Sequence, residues 1–367
     1  MRAFAACLLV PLIAVYAMNL SLDAGGLRSS ARIVKLAAAQ APGDVIVSPT
    51  QFDQRAWVKA RLERADGCPD ILVLGSSTVG EVDSAMFPGH SVLNGFLAGP
   101  MVEDFEAVTA ILRRTHCHPK MIVAGADPFW LGNAGVNDRR WMGLLDDYLA
   151  FDPARNALGT ETLRANVAWA GFEERLNFTT SRESVRLMLA RLRGQRNAEP
   201  RLMHATPEAI CAASASKDLY LRAPDGHYAS CYRASESERR EVASNYLKTN
   251  MHSMAEWREV AWDRIARFGK LVAEWQGDTD RVVLLATPYN PITYSLLLSD
   301  RRLSQHLGEL DAALAEMARA PGGKVTYLNL RDPARAGCPE AWFEDSHHAA
   351  RECVQRYASE VSALLGK

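Results

Sequence analysis

The sequence has almost no net charge: 42 basic residues stand against 43 acidic ones, leaving −1 over 367 residues. Such a chain has no overall field to draw it to nucleic acid or to an anionic membrane surface. Only eight of the basic residues are lysine, and the arginines are scattered rather than striped, so no nucleic-acid partner is expected. The spaced glycines of a dinucleotide-binding turn are missing, and so is the Gly-Lys-Ser/Thr of a phosphate-binding loop. Zinc-type spacings such as C-x2-C are also absent; His116, Cys117, His118 and His347 come nearest to a ligand set, and no metal or other cofactor is expected. There is no internal repeat and no low-complexity tract. With 48% hydrophobic and 23% charged residues, the composition is that of a globular protein rather than a disordered or polytopic membrane chain.

The chain opens with an apolar run from Ala3 to Met18 behind a single Arg2, reaching Leu22 if Asn19 and Ser21 are counted. A spanning helix needs about 20 apolar residues and a secretory core about 7–15, so residues 1–22 read as a signal anchor or signal peptide. Val15-Tyr16-Ala17 offers a cleavage site, and Cys7 lies inside the run, where a lipoprotein cysteine would follow it. The expected location is periplasmic or otherwise extracytoplasmic, with the protein held at the inner membrane by this one segment or released from it. Six further cysteines fit that address. Their placement around predicted strands and loops favours sequential pairing: Cys68–Cys117, Cys211–Cys231 and Cys338–Cys353.

Short apolar runs at 70–75, 121–125, 281–286 and 324–328 lack polar alternation, as strands of a parallel sheet buried on both faces do. Helical stretches near 100–115, 236–276, 302–319 and 347–365 separate or follow them. This alternation predicts an α/β fold with a doubly wound parallel sheet. Residues 23–66 read as a stalk or packing segment, and about 131–235 as a helical insertion in a domain spanning 67–367. Aromatic residues around 127–149 are candidates either for stacking on sugar rings or for the core of the insertion.

Chemistry in such sheets gathers at the carboxyl ends of the strands. The first predicted strand ends Gly75-Ser76-Ser77-Thr78, short of the nucleophile elbow G-x-S-x-G because Val79 stands where the second Gly belongs. Near the C-terminus, Asp345 and His348 are three apart, close enough for the carboxylate to orient the imidazole as a base for a serine. Between them in sequence, Asn94-Gly95-Phe96-Leu97-Ala98-Gly99 brings glycine to a turn where a backbone N–H can approach a substrate oxygen.

Together, Gly75-Ser76-Ser77, Asn94 with Gly99, the Gly125 turn and Asp345 with His348 resemble the SGNH (GDSL-like) hydrolase and acyltransferase superfamily, over about 67–127 and 281–365. The resemblance implies a three-layer α/β/α fold, with Ser77 as nucleophile, Asp345 and His348 completing a triad, and Ser77, Gly99, Asn94 and Asp127 at the oxyanion or substrate site. Gly-Ala-Asp-Pro-Phe-Trp at 125–130 is similar to strings in exported, membrane-anchored members associated with bacterial envelope glycans. The implied function is an exported serine esterase or O-acyltransferase working through an acyl-enzyme. Its substrate would be an acyl, expectedly acetyl, ester of an extracellular polysaccharide, and its partners an acylated carbohydrate or acyl donor and inner-membrane polysaccharide-modification machinery. One departure matters: Asp127 replaces the family's oxyanion Asn. Either backbone donors suffice, or Asn133 or Asn137 substitutes, or the chemistry is lost; the last leaves a non-catalytic glycan-binding or assembly protein as the alternative.

Overall fold

The fold is given by a computed structural model, which describes residues 2–22, 29–48, 52–64, 68–156, 159–192, 199–214, 219–231, 234–249 and 251–365. The domain boundaries expected at 22/23 and 66/67 lie outside the described residues. Nine strands are present among those described: β1 (Asp44–Ser48), β2 (Ile71–Leu74), β3 (Val92–Asn94), β4 (Met121–Gly125), β5 (Arg201–His204), β6 (Tyr220–Arg222), β7 (Tyr228–Ser230), β8 (Arg281–Ala286) and β9 (Val325–Asn329). Five of them form an all-parallel sheet in the order β3-β2-β4-β8-β9.

Apolar residues alternate to opposite faces of this sheet, and both faces are buried. Leu72, Ile122 and Leu284 join one core, Val73, Val123 and Val283 the other. Continuous apolar strands need this double cover, which helices supply. Eight helices matter here: α1 (Arg2–Leu22), α2 (Gln54–Leu62), α3 (Val102–Thr115), α4 (Thr160–Leu176), α5 (Phe178–Leu192), α6 (Trp262–Asp278), α7 (Arg301–Ala318) and α8 (Arg351–Ser362). Phe105 of α3, Phe268 of α6 and Leu310 of α7 pack into the first core, and Val354, Tyr357 and Val361 of α8 into the second. The fold is therefore mixed α/β around a parallel five-stranded sheet.

The order of the sheet reverses direction between β2 and β4: from β2 the chain adds β3 on one side, then crosses to the other. A crevice opens outside the carboxyl ends of strands at such a reversal, which is where the Gly75 and Gly125 turns meet. A side chain on Gly75 would stand 3.1 Å from the Cα of Gly125. Only glycine allows that approach of the two backbones.

Several expectations are revised. Residues 23–66 are more than a stalk: β1 pairs antiparallel with β5 and β6, and α2 packs Trp57 and Val58 into the core. The insertion at 131–235 is not wholly helical. Alongside α4 and α5 it contributes β5, β6 and β7, which with β1 make a four-stranded antiparallel sheet in the order β5-β1-β6-β7. The helix expected over 236–276 is broken into Glu236–Ser244 and α6. Between them Trp257 plunges into the core, its indole N–H donating to the carbonyls of Gly132 and Glu259, and a continuous helix cannot make that turn.

All three disulfides follow the expected pairing, Cys68–Cys117, Cys211–Cys231 and Cys338–Cys353, and three bridges are compatible with an exported protein. Among the described residues no helix is long and apolar enough to cross a membrane. Helix α1 contains Pro11 and packs by its C-terminal half on α4 and α5, through a Tyr16–Phe172 ring contact and an Asn19–Ser181 hydrogen bond.

Candidate active site

Strand β2 delivers Ser76 and Ser77 to the reversal point, and the two serines have different fates. Ser76 is fully buried and caps the short helical turn Ser77–Val79, accepting from the Thr78 N–H at 3.2 Å. Ser77 points out, its Oγ 2.7 Å from Nε2 of His348. The other ring nitrogen of His348, Nδ1, lies 2.6 Å from Oδ2 of Asp345. Oδ1 of the same carboxylate accepts the backbone N–H groups of His347 at 2.9 Å and His348 at 2.8 Å. Serine, histidine and aspartate thus form one unbroken hydrogen-bonded line.

The segment carrying Asp345 and His348 is held from three sides. The Cys338–Cys353 bridge closes it into a loop. Asn290 donates to the Asp345 carbonyl through Nδ2 and to the Ser346 carbonyl through its backbone. Tyr357 of α8 reaches across to the Thr78 carbonyl at 3.1 Å, tying the helix after the histidine to the turn after the serine.

Burial disfavours a charged His348 ring, but the Asp345 carboxylate outweighs it, with smaller help from Glu344 and Glu81, and lifts the imidazole to about 9. Burial alone would raise Asp345; the facing His348 and His347 rings and the backbone N–H groups instead hold it well below the usual carboxylate range.

The line opens into a cleft of about 290 Å³. Gln54 and Ala98 stand at one side, Tyr220, Tyr228 and Ser230 of the antiparallel sheet form a wall, and Glu81 and Glu344 supply negative charge. Among the described residues no lysine or arginine lines it. The aromatic residues expected around 127–149 do not reach the cleft: Phe129 and Trp130 are core, and Trp141 stacks on Tyr148. Tyr220 and Tyr228 take that place. Pro224-Asp225-Gly226 between two short β-prone runs is a hairpin signal that would have found them.

Two other expected site residues turn away. Asn94 is buried, donating Nδ2 to the carbonyls of Val79, Gly80 and Val82 while Oδ1 accepts from the Phe96 N–H. Its amide is consumed in holding the loop after Ser77. Asp127 accepts from Ser76 Oγ at 2.5 Å, Thr78 Oγ1 at 2.9 Å and Thr287 Oγ1 at 3.4 Å. A carboxylate with three hydroxyls pointed at it is a brace behind the Ser77 turn, and neither it nor Asn94 lines the cleft. Asn133 is buried at a bridge to Val260 and Asn137 is exposed elsewhere, so neither substitutes for the expected amide.

Gly99 follows Ala98 of the cleft lining without lining it itself; its φ is +51, in the left-handed region, and a side chain there would meet the Arg140 guanidinium. The backbone conformation favours glycine at that position, whereas the exposed Arg140 side chain could move aside. The backbone N–H groups of Ser77 and Gly99 donate to no group among the described residues, leaving both available to a ligand oxygen.

Asp345, His347 and His348 also offer ligand atoms within 4.8 Å of one another. The hydrogen bonds from His348 to Asp345 and between Ser346 and His347 Nδ1 already engage those atoms. Cys117, from the His116–His118 cluster, is spent in a disulfide.

Because Asp127 braces the turn, Asp127→Asn is expected to give no gain in the reactivity of Ser77 and to cost about 2 kcal/mol of stability, read by urea unfolding. A rate increase of about tenfold or more would instead place this side chain at the reacting carbonyl. Searches against protein-family models, curated proteins and solved structures returned no match to the chain.

Proposed function

We propose that this protein is an exported serine esterase or O-acyltransferase of the SGNH type, with a doubly wound sheet as its scaffold. The observation that carries the reading is the continuous line from Ser77 through His348 to Asp345, ending in an open cleft. Ser77 gives its proton to Nε2 of His348 as Oγ bonds to the acyl carbon, and the carbonyl electron pair moves onto oxygen. The N–H groups of Ser77 and Gly99 stabilise that oxyanion. Collapse breaks the ester bond, and the leaving alkoxide takes the proton from His348. Water, or another hydroxyl, then repeats the sequence in reverse to free Ser77.

The substrate class follows from the walls. Tyr220 and Tyr228 offer flat apolar faces of the kind that stack on sugar rings, and Ser230 a hydroxyl partner. Glu81 and Glu344 line the cleft, and among the described residues no basic side chain does, which favours a neutral O-acylated glycan over an anionic one. The three disulfides and the apolar N-terminal run support action outside the cytoplasm, at the cell envelope.

The test is labelling of the full chain with a fluorophosphonate, followed by peptide mapping. One adduct per chain on Ser77, absent in Ser77→Ala and His348→Ala, is the expected result. A folded wild-type protein that takes no label would sink the enzymatic reading in favour of a glycan-binding one.

A further inference from the structure

The withdrawal of Asp127 leaves the oxyanion position without the side-chain amide that the resemblance implied, yet one amide does face the cleft. It belongs to Gln54, the first residue of α2, in a segment that no sequence motif connects to the site. Gln54 is half-buried and lines the cleft together with Ser77 and Ala98. Its Oε1 accepts the backbone N–H of Ala98 at 2.5 Å, one residue before Gly99.

That single contact sets the orientation of the amide. A backbone N–H can only donate, so only the oxygen of the Gln54 side chain can meet it, and the NH2 group must point the other way. Nε2 has no hydrogen-bond partner among the described residues. The next residue secures the arrangement from the opposite direction: Arg55, buried, donates to the carbonyls of Ala98 and Gly99 at 3.5 and 3.3 Å. The start of α2 therefore grips both polar edges of the Ala98–Gly99 backbone, and the amide donor is oriented before any substrate arrives.

We infer that Gln54 Nε2 is a third donor to the oxyanion, alongside the N–H groups of Ser77 and Gly99, and is a catalytic residue of the acyl-transfer reaction. This rests on the esterase or acyltransferase reading above. Aligned donors in a site partly closed to water act most strongly where charge develops, so the contribution appears in the transition state rather than in ground-state binding.

Two variants separate this role from simple anchoring of the loop. Gln54→Glu keeps an oxygen for the Ala98 N–H but has no donor at neutral pH. Gln54→Met removes both. The readouts are the second-order rate of Ser77 labelling by the fluorophosphonate, whose P=O occupies the oxyanion position, and kcat and KM for p-nitrophenyl acetate. Both variants are expected to lose about 100-fold in kcat and in labelling rate, with KM within about twofold of wild type. If Gln54→Glu keeps the wild-type rate while Gln54→Met loses it, Gln54 only anchors the loop and the inference is overturned. A rise in KM at unchanged kcat overturns it as well. Failure of the wild-type protein to label at Ser77 would instead remove the enzymatic reading itself, so the two failures are distinguishable.

Discussion

Asp345→Asn is expected to reduce kcat by about 10⁴-fold while leaving the fold intact. The loss follows from which atoms already occupy the carboxylate. Oδ1 receives the N–H groups of His347 and His348, and those donors retain whichever atom of a new amide is oxygen. The NH2 group is then forced toward Nδ1 of His348, where it donates. That stabilises the tautomer with hydrogen on Nε2, and a protonated Nε2 cannot accept the proton of Ser77.

The same substitution carries a pH signature. In the wild-type protein His348 is raised to about 9, so at neutral pH the ring is largely protonated and unavailable as a base. Labelling and turnover should accordingly rise with pH, with the ascending limb near 9 rather than near the ordinary histidine value of about 6.5. Without the carboxylate, burial is no longer opposed by its largest counterweight, and the limb moves toward acid. A wild-type profile already flat above about pH 7 would contradict the strong Asp345–His348 coupling.

The largest expected stability effect lies on the other side of the cleft. Arg55 and Asp104 form a buried, two-pronged ion pair, Nε to Oδ1 at 2.7 Å and Nη2 to Oδ2 at 2.8 Å. Asp104→Ala leaves a buried guanidinium whose remaining hydrogen-bond partners among the described residues are the Ala98 and Gly99 carbonyls, and also uncaps the Met101 N–H at the start of α3. The expected cost is about 3–5 kcal/mol, measured by urea unfolding. The nearby Asp138–Arg140 pair, whose arginine is exposed, gives the contrast: Arg140→Ala should change stability by less than about 1 kcal/mol. A loss below about 1 kcal/mol for Asp104→Ala would mean that water reaches the Arg55 guanidinium.

What was legible in the chain was its longest and most uniform signals. Runs such as Ile71–Leu74 and Arg281–Ala286 are apolar because both faces of the sheet are covered, and that pattern needs no knowledge of tertiary contacts. The Asp345–His348 spacing was legible for a similar reason: both partners lie within one turn of chain. Strand β3, three residues long, offers too short a pattern to read, and β5 and β7 of the antiparallel sheet are only partly buried. The roles of Asn94, Asp127 and Gln54 were not legible, because each depends on partners brought together only by folding. Asp127 meets Ser76 from 51 positions away and Gln54 meets Ala98 from 44. A carboxylate in a motif position reads as repulsive to an oxyanion until the three hydroxyls pointing at it are seen.

The separation of Ser77 from His348 by 271 positions has a consequence for how the protein comes into being. Chains are synthesised from the N-terminus, and a domain folds as a unit once its elements are present. Ser77, the Ala98–Gly99 loop and the tyrosine wall all precede β8 in the chain, whereas His348 follows β9, the edge strand of the sheet. Without His348, Ser77 is an ordinary alcohol. On the proposed reading, a chain that stops short of β9 holds Ser77 without its base, and the Cys338–Cys353 bridge closes the last segment the line needs.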